Sequence, residues 1–108
     1  MEWTRFQPCE ACGSAARLSA RLEADPAQEA ALVWVGYDPC ECGPSWARVG
    51  CWVAVHADGR TSLTVSGLLA RSSRLETVRF LSRKAQEAGF GFLARLVRLA
   101  ADREANAA

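Results

Sequence analysis

A short cysteine phrase occurs twice in this chain and limits the fold more than any other feature of the sequence. Residues 8–13 read PCEACG, and residues 39–43 read PCECG, the same phrase with one residue missing. Thiolates are soft ligands that suit zinc, and four of them complete the closed tetrahedral shell of a structural site. The Gly that ends each phrase permits the positive φ that tight turns often need. We therefore predict one structural zinc ion, bound by Cys9, Cys12, Cys40 and Cys42.

The two phrases resemble the knuckles of the zinc-ribbon family, in which two turns of the type Cys-x-x-Cys-Gly sit at the base of an antiparallel sheet. The resemblance covers roughly residues 3–43 and implies zinc ligation by the same four cysteines. In that family the site often accompanies binding to nucleic acid or to transcription and translation machinery. The second knuckle departs from the family pattern, because a single residue separates Cys40 from Cys42.

Other interpretations of the cysteines stay open at this point. Cys9 and Cys12 could do redox chemistry, the four thiolates could hold a single iron ion, or the thiols could be unligated. A thioredoxin-like site would sit at the start of a helix in a βαβ unit, and no such unit is visible. Cys51 is the odd fifth cysteine. We predict that it is a small buried apolar residue, with replacement of one knuckle ligand as the alternative.

The 27 residues between Cys12 and Cys40 must return to their start if both phrases share an ion. Apolar and polar residues alternate over 15–24, which predicts a strand, although the Ala, Leu, Arg and Glu content favours a helix. A continuous apolar run predicts a second, more buried strand over 30–37. Paired strands lie about 5 Å apart, so this hairpin would bring the phrases together. Closing the loop costs roughly 3 kcal/mol, against about 10–16 kcal/mol for structural zinc, so the metal would act as organiser.

A second hairpin is predicted over 49–56 and 60–67, because Asp58-Gly59 is a favoured type I′ turn. If these are the only two turn residues, Trp52 lies opposite Val65. The face that carries both of them then has the character of a core. The intervening residues of each strand would lie on the other face.

The only histidine, His56, lies five positions after Cys51, an odd difference. In a regular strand the two side chains point to opposite faces, so they cannot share a metal or form a catalytic dyad. Four thiolates also leave zinc no open position for a water molecule. The sequence contains no phosphate-binding Gly-Lys-Ser loop, nucleophile elbow or His-Glu-x-x-His motif. We therefore predict no enzymatic activity and place His56 beside the turn.

Two helices are predicted near the C-terminus, over 74–88 and 91–104. Ser73 and Glu76 match a capping box, and Gly89 stands where a C-terminal cap belongs. Apolar residues recur at helical spacing in both segments. The second helix carries an apolar stripe that would suit a homodimer.

The expected fold class is α+β: an antiparallel sheet of about four strands with a zinc-ribbon-like four-cysteine site, covered by C-terminal helices. A chain of 108 residues buries one core, so we predict a single domain. Within it, residues 1–67 would form the zinc-stapled sheet and residues 73–104 the helical part. The zinc would join the base of the first hairpin to the segment that enters the second.

Charge is distributed unevenly along the chain. Residues 1–60 carry five Arg against eight acidic residues, and residues 61–108 carry eight Lys or Arg against four. The pI of about 7.6 argues mildly against tight DNA binding. Basic side chains on the predicted helices could still meet a phosphate backbone, or form an ordinary solvated face. The candidate nucleic-acid-binding residues are Arg79, Arg83, Lys84, Arg95 and Arg98.

Together these features predict a non-catalytic, zinc-stabilised interaction module, most simply a small protein-binding adaptor or inhibitor. The alternative is a nucleic-acid-binding regulator that uses the basic helices. An exposed aromatic residue such as Trp3 or Trp46 would anchor a protein partner. Residues 1–5 lack the features of a secretory signal, and no apolar run is long enough to cross a bilayer. We therefore expect a cytoplasmic protein that does not bind membranes.

Overall fold

The computed structural model describes residues 1–9, 12–38, 48–67 and 72–106. Within these residues the predicted α+β class is confirmed, but the sheet has five strands rather than four. The elements in chain order are β1 (Glu2–Pro8), β2 (Ala15–Asp25), β3 (Ala30–Asp38), β4 (Val49–His56), β5 (Thr61–Ser66), α1 (Arg74–Glu87) and α2 (Gly91–Asn106).

The sheet is a meander in which each strand pairs antiparallel with its neighbour in the sequence, so the strand order is β1-β2-β3-β4-β5. Strands β1 and β3 therefore finish at the same end of the sheet, where β2 and β4 begin. We call this end the cysteine end, because Cys9 directly follows β1 there. Both predicted hairpins, β2–β3 and β4–β5, are present.

Strand β2 settles whether residues 15–24 form a strand or a helix. Ala16, Leu18 and Ala20 are at most 2% exposed, whereas the intervening Arg17 and Arg21 are exposed. This alternation gives a strand one apolar face that can pack under the helices, and burial of that face outweighs the helical preference of the residues. The strand prediction is confirmed.

Strand β1 was not predicted, because its sequence gives no clear alternation. It lies at the edge of the sheet, and only Trp3 and Gln7 are half-buried. Trp3 packs against Phe90, with ring centroids 5.8 Å apart, and the Gln7 side chain donates to the Lys84 carbonyl at 3.1 Å. Phe6 is 73% exposed and disguises the pattern. The strand is held by its pairing with β2 and by these contacts to the helical layer.

The predicted register of the second hairpin is wrong by one residue. Cys51 lies opposite Val65, and Trp52 lies opposite Thr64. The loop closes with His56 N–H donating to the Arg60 carbonyl, so three residues rather than two form the turn, with Gly59 at φ +87°. A type I turn followed by a left-handed Gly is the usual three-residue hairpin. A slip of one residue exchanges the faces of a strand, so Trp52 faces away from the core.

Helix α1 begins at the predicted capping box. The Ser73 hydroxyl accepts from the Glu76 N–H at 3.1 Å, and the Ser73 N–H donates to the Glu76 carboxylate at 3.3 Å. The helix ends before Gly89, whose φ of +91° suits only glycine well. Helix α2 then runs to Asn106, two residues beyond the predicted end.

Both helices pack on one face of the sheet, and the core lies between the two layers. Tyr37 of β3 meets Phe80 of α1 edge to face, with ring centroids 5.2 Å apart. Within the described residues no helix packs on the opposite face of the sheet, which we call the bare face. The fully buried core residues include Leu18, Val33, Val35, Val53, Val78, Leu81 and Val97.

An arginine of α1 connects both helices to the free edge of the sheet. The Arg74 guanidinium donates to the Leu63 carbonyl of β5 at 2.6 Å. It also donates to both carboxylate oxygens of Glu104 in α2, at 2.9 to 3.2 Å. In the described part of the chain, neither helix has the length and apolar character that would span a bilayer.

Candidate functional site

Cys9 and Cys12 of the first cysteine phrase lie between β1 and β2. Cys9 is 4% exposed, and its carbonyl accepts from the Gly13 N–H at 2.9 Å. Gly13 has φ +77°, as expected of the Gly that follows a knuckle. Cys12 is exposed at the same turn. The two thiols of the first phrase therefore belong to one tight turn at the cysteine end.

The second phrase lies outside the described residues, and with it Cys40 and Cys42. Among the residues that are described, no group of three or more His, Cys, Asp or Glu side chains is placed to hold a metal. Zinc binding by the four cysteines therefore stays a prediction. The predicted hairpin between the phrases does exist, since Arg17 of β2 pairs with Asp38 of β3.

Cys51 does not belong to the predicted metal site. It is fully buried on the helix side of β4, and burial raises the pKa of its thiol to about 12. Across the sheet, Cys51 pairs with Val35 of β3, and Val35 pairs with Ala20 of β2. Ala20 lies six residues from Ser14, the residue whose carbonyl accepts from the Cys9 N–H. At about 3.3 Å per residue this is roughly 20 Å along the strands, too far for a shared ion. The prediction of a small buried residue is confirmed.

His56 lies at the end of β4 beside the turn, as predicted. Its Nε2 lies 3.4 Å from the Ser62 hydroxyl, on the bare face. Cys51 lies on the other face, so the two side chains cannot act together, in agreement with the odd spacing between them.

Two tryptophans form the centre of the bare face. Trp34 of β3 and Trp52 of β4 are direct cross-strand partners, and their ring centroids lie 5.1 Å apart. The Trp34 ring lies over Gly36 and Gly50, where an added Cβ would come within 2.8 Å and 2.1 Å of ring atoms. Its indole N–H donates to the Ser19 hydroxyl at 3.3 Å. Two paired glycines thus provide the space that holds the aromatic pair in place.

A shallow depression of about 430 Å³ opens beside Trp52. Its lining includes small and hydroxylated side chains, an aliphatic side chain and a carboxylate. The lining residues are Glu23, Gln28, Leu32, Trp52, Ala54, Ser62 and Thr64. An aromatic side chain surrounded by polar ones is typical of surfaces that bind protein side chains.

The charged residues of the bare face do not form a basic patch. Arg21 pairs with Glu2 at 2.6 Å, and Arg17 pairs with Asp38. Glu23 lies in the depression itself. The arginines of this face are therefore balanced by carboxylates, and the depression is acidic.

Four of the five predicted basic residues converge on one groove between the helices. Arg79 and Arg83 lie one turn apart on α1, and Arg95 and Arg98 lie on the facing side of α2. Lys84 does not line this groove, contrary to the prediction. It is 5% exposed, and its ammonium group lies 3.0 Å from the Glu87 carboxylate. Nucleic-acid binding by these residues stays a prediction.

The structure describes one of the two aromatic residues predicted to anchor a partner, and that residue, Trp3, lies on the helix side of the sheet. Trp3 is half-buried against Phe90, and Trp46 lies outside the described residues. The predicted stripe on α2 packs in the core, since Leu93, Val97 and Ala100 are buried and Leu96 packs against them. Two other apolar side chains of this helix, Phe92 and Leu99, are 61% and 42% exposed.

Trp34 and Trp52 were not predicted as site residues, because the predicted β4–β5 register is wrong by one residue and placed Trp52 in the core. A usable signal was present in the sequence: each Trp has a Gly two residues away, at positions 36 and 50. Residues two apart share a face of a strand, so each Gly leaves room beside an indole.

Comparison of the chain with protein-family models, with curated proteins and with solved structures finds no significant match.

Proposed function

We propose that this chain is a non-catalytic, zinc-stabilised interaction module that binds a protein partner through the bare face of its sheet. The observation that carries the proposal is the Trp34–Trp52 pair on the bare face, with 5.1 Å between ring centroids and no helix of the described residues packed over it. Tryptophan is strongly enriched among the residues that dominate binding energy at protein interfaces. The depression beside Trp52 gives the aromatic pair a place for a partner side chain.

Charge favours a protein partner over nucleic acid on this face. Glu23 lies in the depression, and the carboxylates of Glu2 and Asp38 occupy the nearby arginines. Phosphate groups would meet the Glu23 carboxylate there, and the nearby arginines that the structure describes already pair with carboxylates. A neutral or basic protein surface suits the bare face better.

The zinc ion is a separate part of the proposal, and topology supports it. Cys9 lies in the β1–β2 turn at the cysteine end, and β3 finishes at that same end with Asp38. Asp38 is level with Phe6, two strands or about 10 Å away, and Cys9 lies three residues or about 10 Å further along β1. Cys40 follows Asp38 by two residues, and two residues span up to about 7 Å. The chain between the phrases therefore has the reach that a shared ion requires.

The zinc component is tested by metal analysis of the purified protein. We expect one zinc per chain, lost in Cys9→Ser and in Cys12→Ser and retained in Cys51→Ala, because Cys51 lies far from the cysteine end. Zinc loss should lower the melting temperature of both knuckle variants. A metal-free wild-type protein that melts cooperatively, with no change in the variants, would contradict zinc stabilisation.

Partner binding is tested by comparing captured proteins between two variants that each place a new arginine on an exposed site. Thr64→Arg lies directly opposite Trp52 on the bare face, whereas Leu99→Arg lies on α2. We expect a protein partner that survives nuclease treatment and raised salt, binds Leu99→Arg like wild type, and is lost with Thr64→Arg. A partner held equally by both variants would contradict docking on the bare face.

A further inference from the structure

The outer groove between α1 and α2 concentrates arginines that come from different parts of the chain. Arg79 and Arg83 are four residues apart on α1, which places them about 6 Å apart along the helix. Arg95 and Arg98 are three residues apart on α2 and line the same groove of about 240 Å³. The Ser82 hydroxyl donates to the Ala94 carbonyl at 2.8 Å and ties the helices together beneath the groove.

Part of the positive charge of this groove has no neutralising carboxylate among the described residues. Arg83 lies 3.8 Å from Glu87, and Arg79 lies 3.8 Å from Asp102, and all four of these side chains are about half exposed. Exposed pairs at this distance contribute little. In the described part of the chain, neither Arg95 nor Arg98 has an ion-pair partner. The arginines near the sheet form closer ion pairs, since Arg74 lies 2.9 Å from Glu104 and Arg21 lies 2.6 Å from Glu2.

We propose that this groove binds a phosphoryl group carried on a side chain of a protein partner. Guanidinium groups fit phosphate oxygens with paired hydrogen bonds, and a phosphorylated side chain carries a charge of about −1.5 to −2 at neutral pH. Four arginines on two rigid helices surround a space of the size that such a group needs. The proposal does not depend on the bare face, because the groove lies on the opposite layer of the fold.

The lining of the groove separates a phosphoprotein from a nucleic acid. As far as the chain is described, its walls carry arginine, glutamine, glutamate, serine and alanine side chains and no aromatic ring. Proteins that hold single strands stack the bases on aromatic side chains, and a duplex is too wide to enter a groove of this volume. The groove therefore suits an isolated phosphoryl group better than a polynucleotide.

The test is an NMR titration of the side-chain Nε–Hε signals of the groove arginines, together with fluorescence anisotropy. The probes are a peptide library with one fixed phosphoserine and random flanks, the matching serine library, and an oligothymidylate. We expect the phosphoserine library to bind at least tenfold more tightly than the serine library and to shift the signals of Arg95 and Arg98. The double variant Arg95→Gln with Arg98→Gln should bind it at least tenfold more weakly.

The control variant removes the same charge elsewhere, with Arg48→Gln and Arg60→Gln, two exposed arginines that pair with Asp38 and Asp58. It should bind the phosphoserine library like wild type. Circular dichroism should show that all variants fold, because the altered side chains are exposed. Equal affinity for both libraries, or equal losses in the two double variants, would overturn the proposal. Tighter binding of the oligothymidylate through Arg95 and Arg98 would also overturn it and assign the groove to nucleic acid.

Discussion

Replacing Gly50 by alanine tests whether the glycine pair builds the aromatic centre of the bare face. The new Cβ would lie 2.1 Å from Cη2 and 2.5 Å from Cζ2 of the Trp34 ring. These distances are far inside van der Waals contact, and the ring is rigid, so the indole must leave its position. Gly50 has no positive φ, so the backbone itself accepts a side chain. The whole cost of Gly50→Ala therefore comes from Trp34.

The expected loss of stability follows from the contacts that Trp34 would give up. Overpacking at a well-packed site costs about 1–3 kcal/mol. The tilted contact with Trp52 contributes about 0.5–1.5 kcal/mol, and the hydrogen bond to Ser19 contributes about 1 kcal/mol. Because the ring can swing partly into solvent, we expect Gly50→Ala to lower the free energy of unfolding by about 2–3 kcal/mol.

The assay is urea unfolding followed by far-UV circular dichroism, in the wild-type and Trp34→Val backgrounds. With a smaller side chain at position 34, Gly50→Ala should cost almost nothing, because alanine is also less flexible than glycine in the unfolded chain. The double-mutant cycle should therefore give a coupling of about 2 kcal/mol, since the two residues are in contact. An unchanged urea midpoint, or an equal cost in both backgrounds, would refute the packing of Trp34 over Gly50.

Three further predictions concern single residues. Ser73→Ala removes the cap of α1 and should lower stability by about 1 kcal/mol in urea unfolding, with Ser72→Ala as the neighbouring control. Cys51, whose thiol pKa is about 12, should resist iodoacetamide at neutral pH in the native protein and react in urea, as mass spectrometry of its peptide would show. Hydrogen bonds from Arg74 lower the pKa of Glu104, so their stabilisation is present at neutral pH. The difference in urea midpoint between wild type and Glu104→Gln should therefore shrink as the pH falls below the carboxyl's ordinary value of 4.5.

The elements that the sequence predicts best are those whose signals are local. The capping box at Ser73 and Glu76 and the cap at Gly89 place α1 within one residue of its ends, because each signal involves backbone groups only a few positions away. The alternation in β2 is also readable locally. Strand β1 was missed because its burial comes from Phe90 and Lys84, far away in the sequence.

The centre of the bare face could not be predicted from local signals. The pairing of Trp34 with Trp52 depends on the β3–β4 register, and Asp58-Gly59 suggested a two-residue turn where the chain makes a three-residue one. A shift of one residue in the pairing of two strands exchanges the faces on which their side chains meet. The predicted turn was one residue too short, so the prediction placed Trp52 in the core rather than on the bare face.

The basic groove was predicted in part. Helical spacing puts Arg79 beside Arg83 and Arg95 near Arg98, but only the packing of α1 against α2 brings the two pairs together. Lys84 follows Arg83 directly, and one residue rotates a helix by about 100°. That rotation turns Lys84 from the groove toward β1, where it lines a depression with Gln7 and Pro8.

The hydrogen bond from Arg74 to the Leu63 carbonyl affects how the sheet can grow. A free strand edge is a template for another chain, and charged side chains are one means by which proteins block it. At β5 a guanidinium, fixed by Glu104, occupies a carbonyl that an added strand would need. Strand addition at that side would require the hydrogen bond from Arg74 to break first, and at the opposite margin, along β1, the Arg5 guanidinium donates to the Thr4 carbonyl at 3.0 Å.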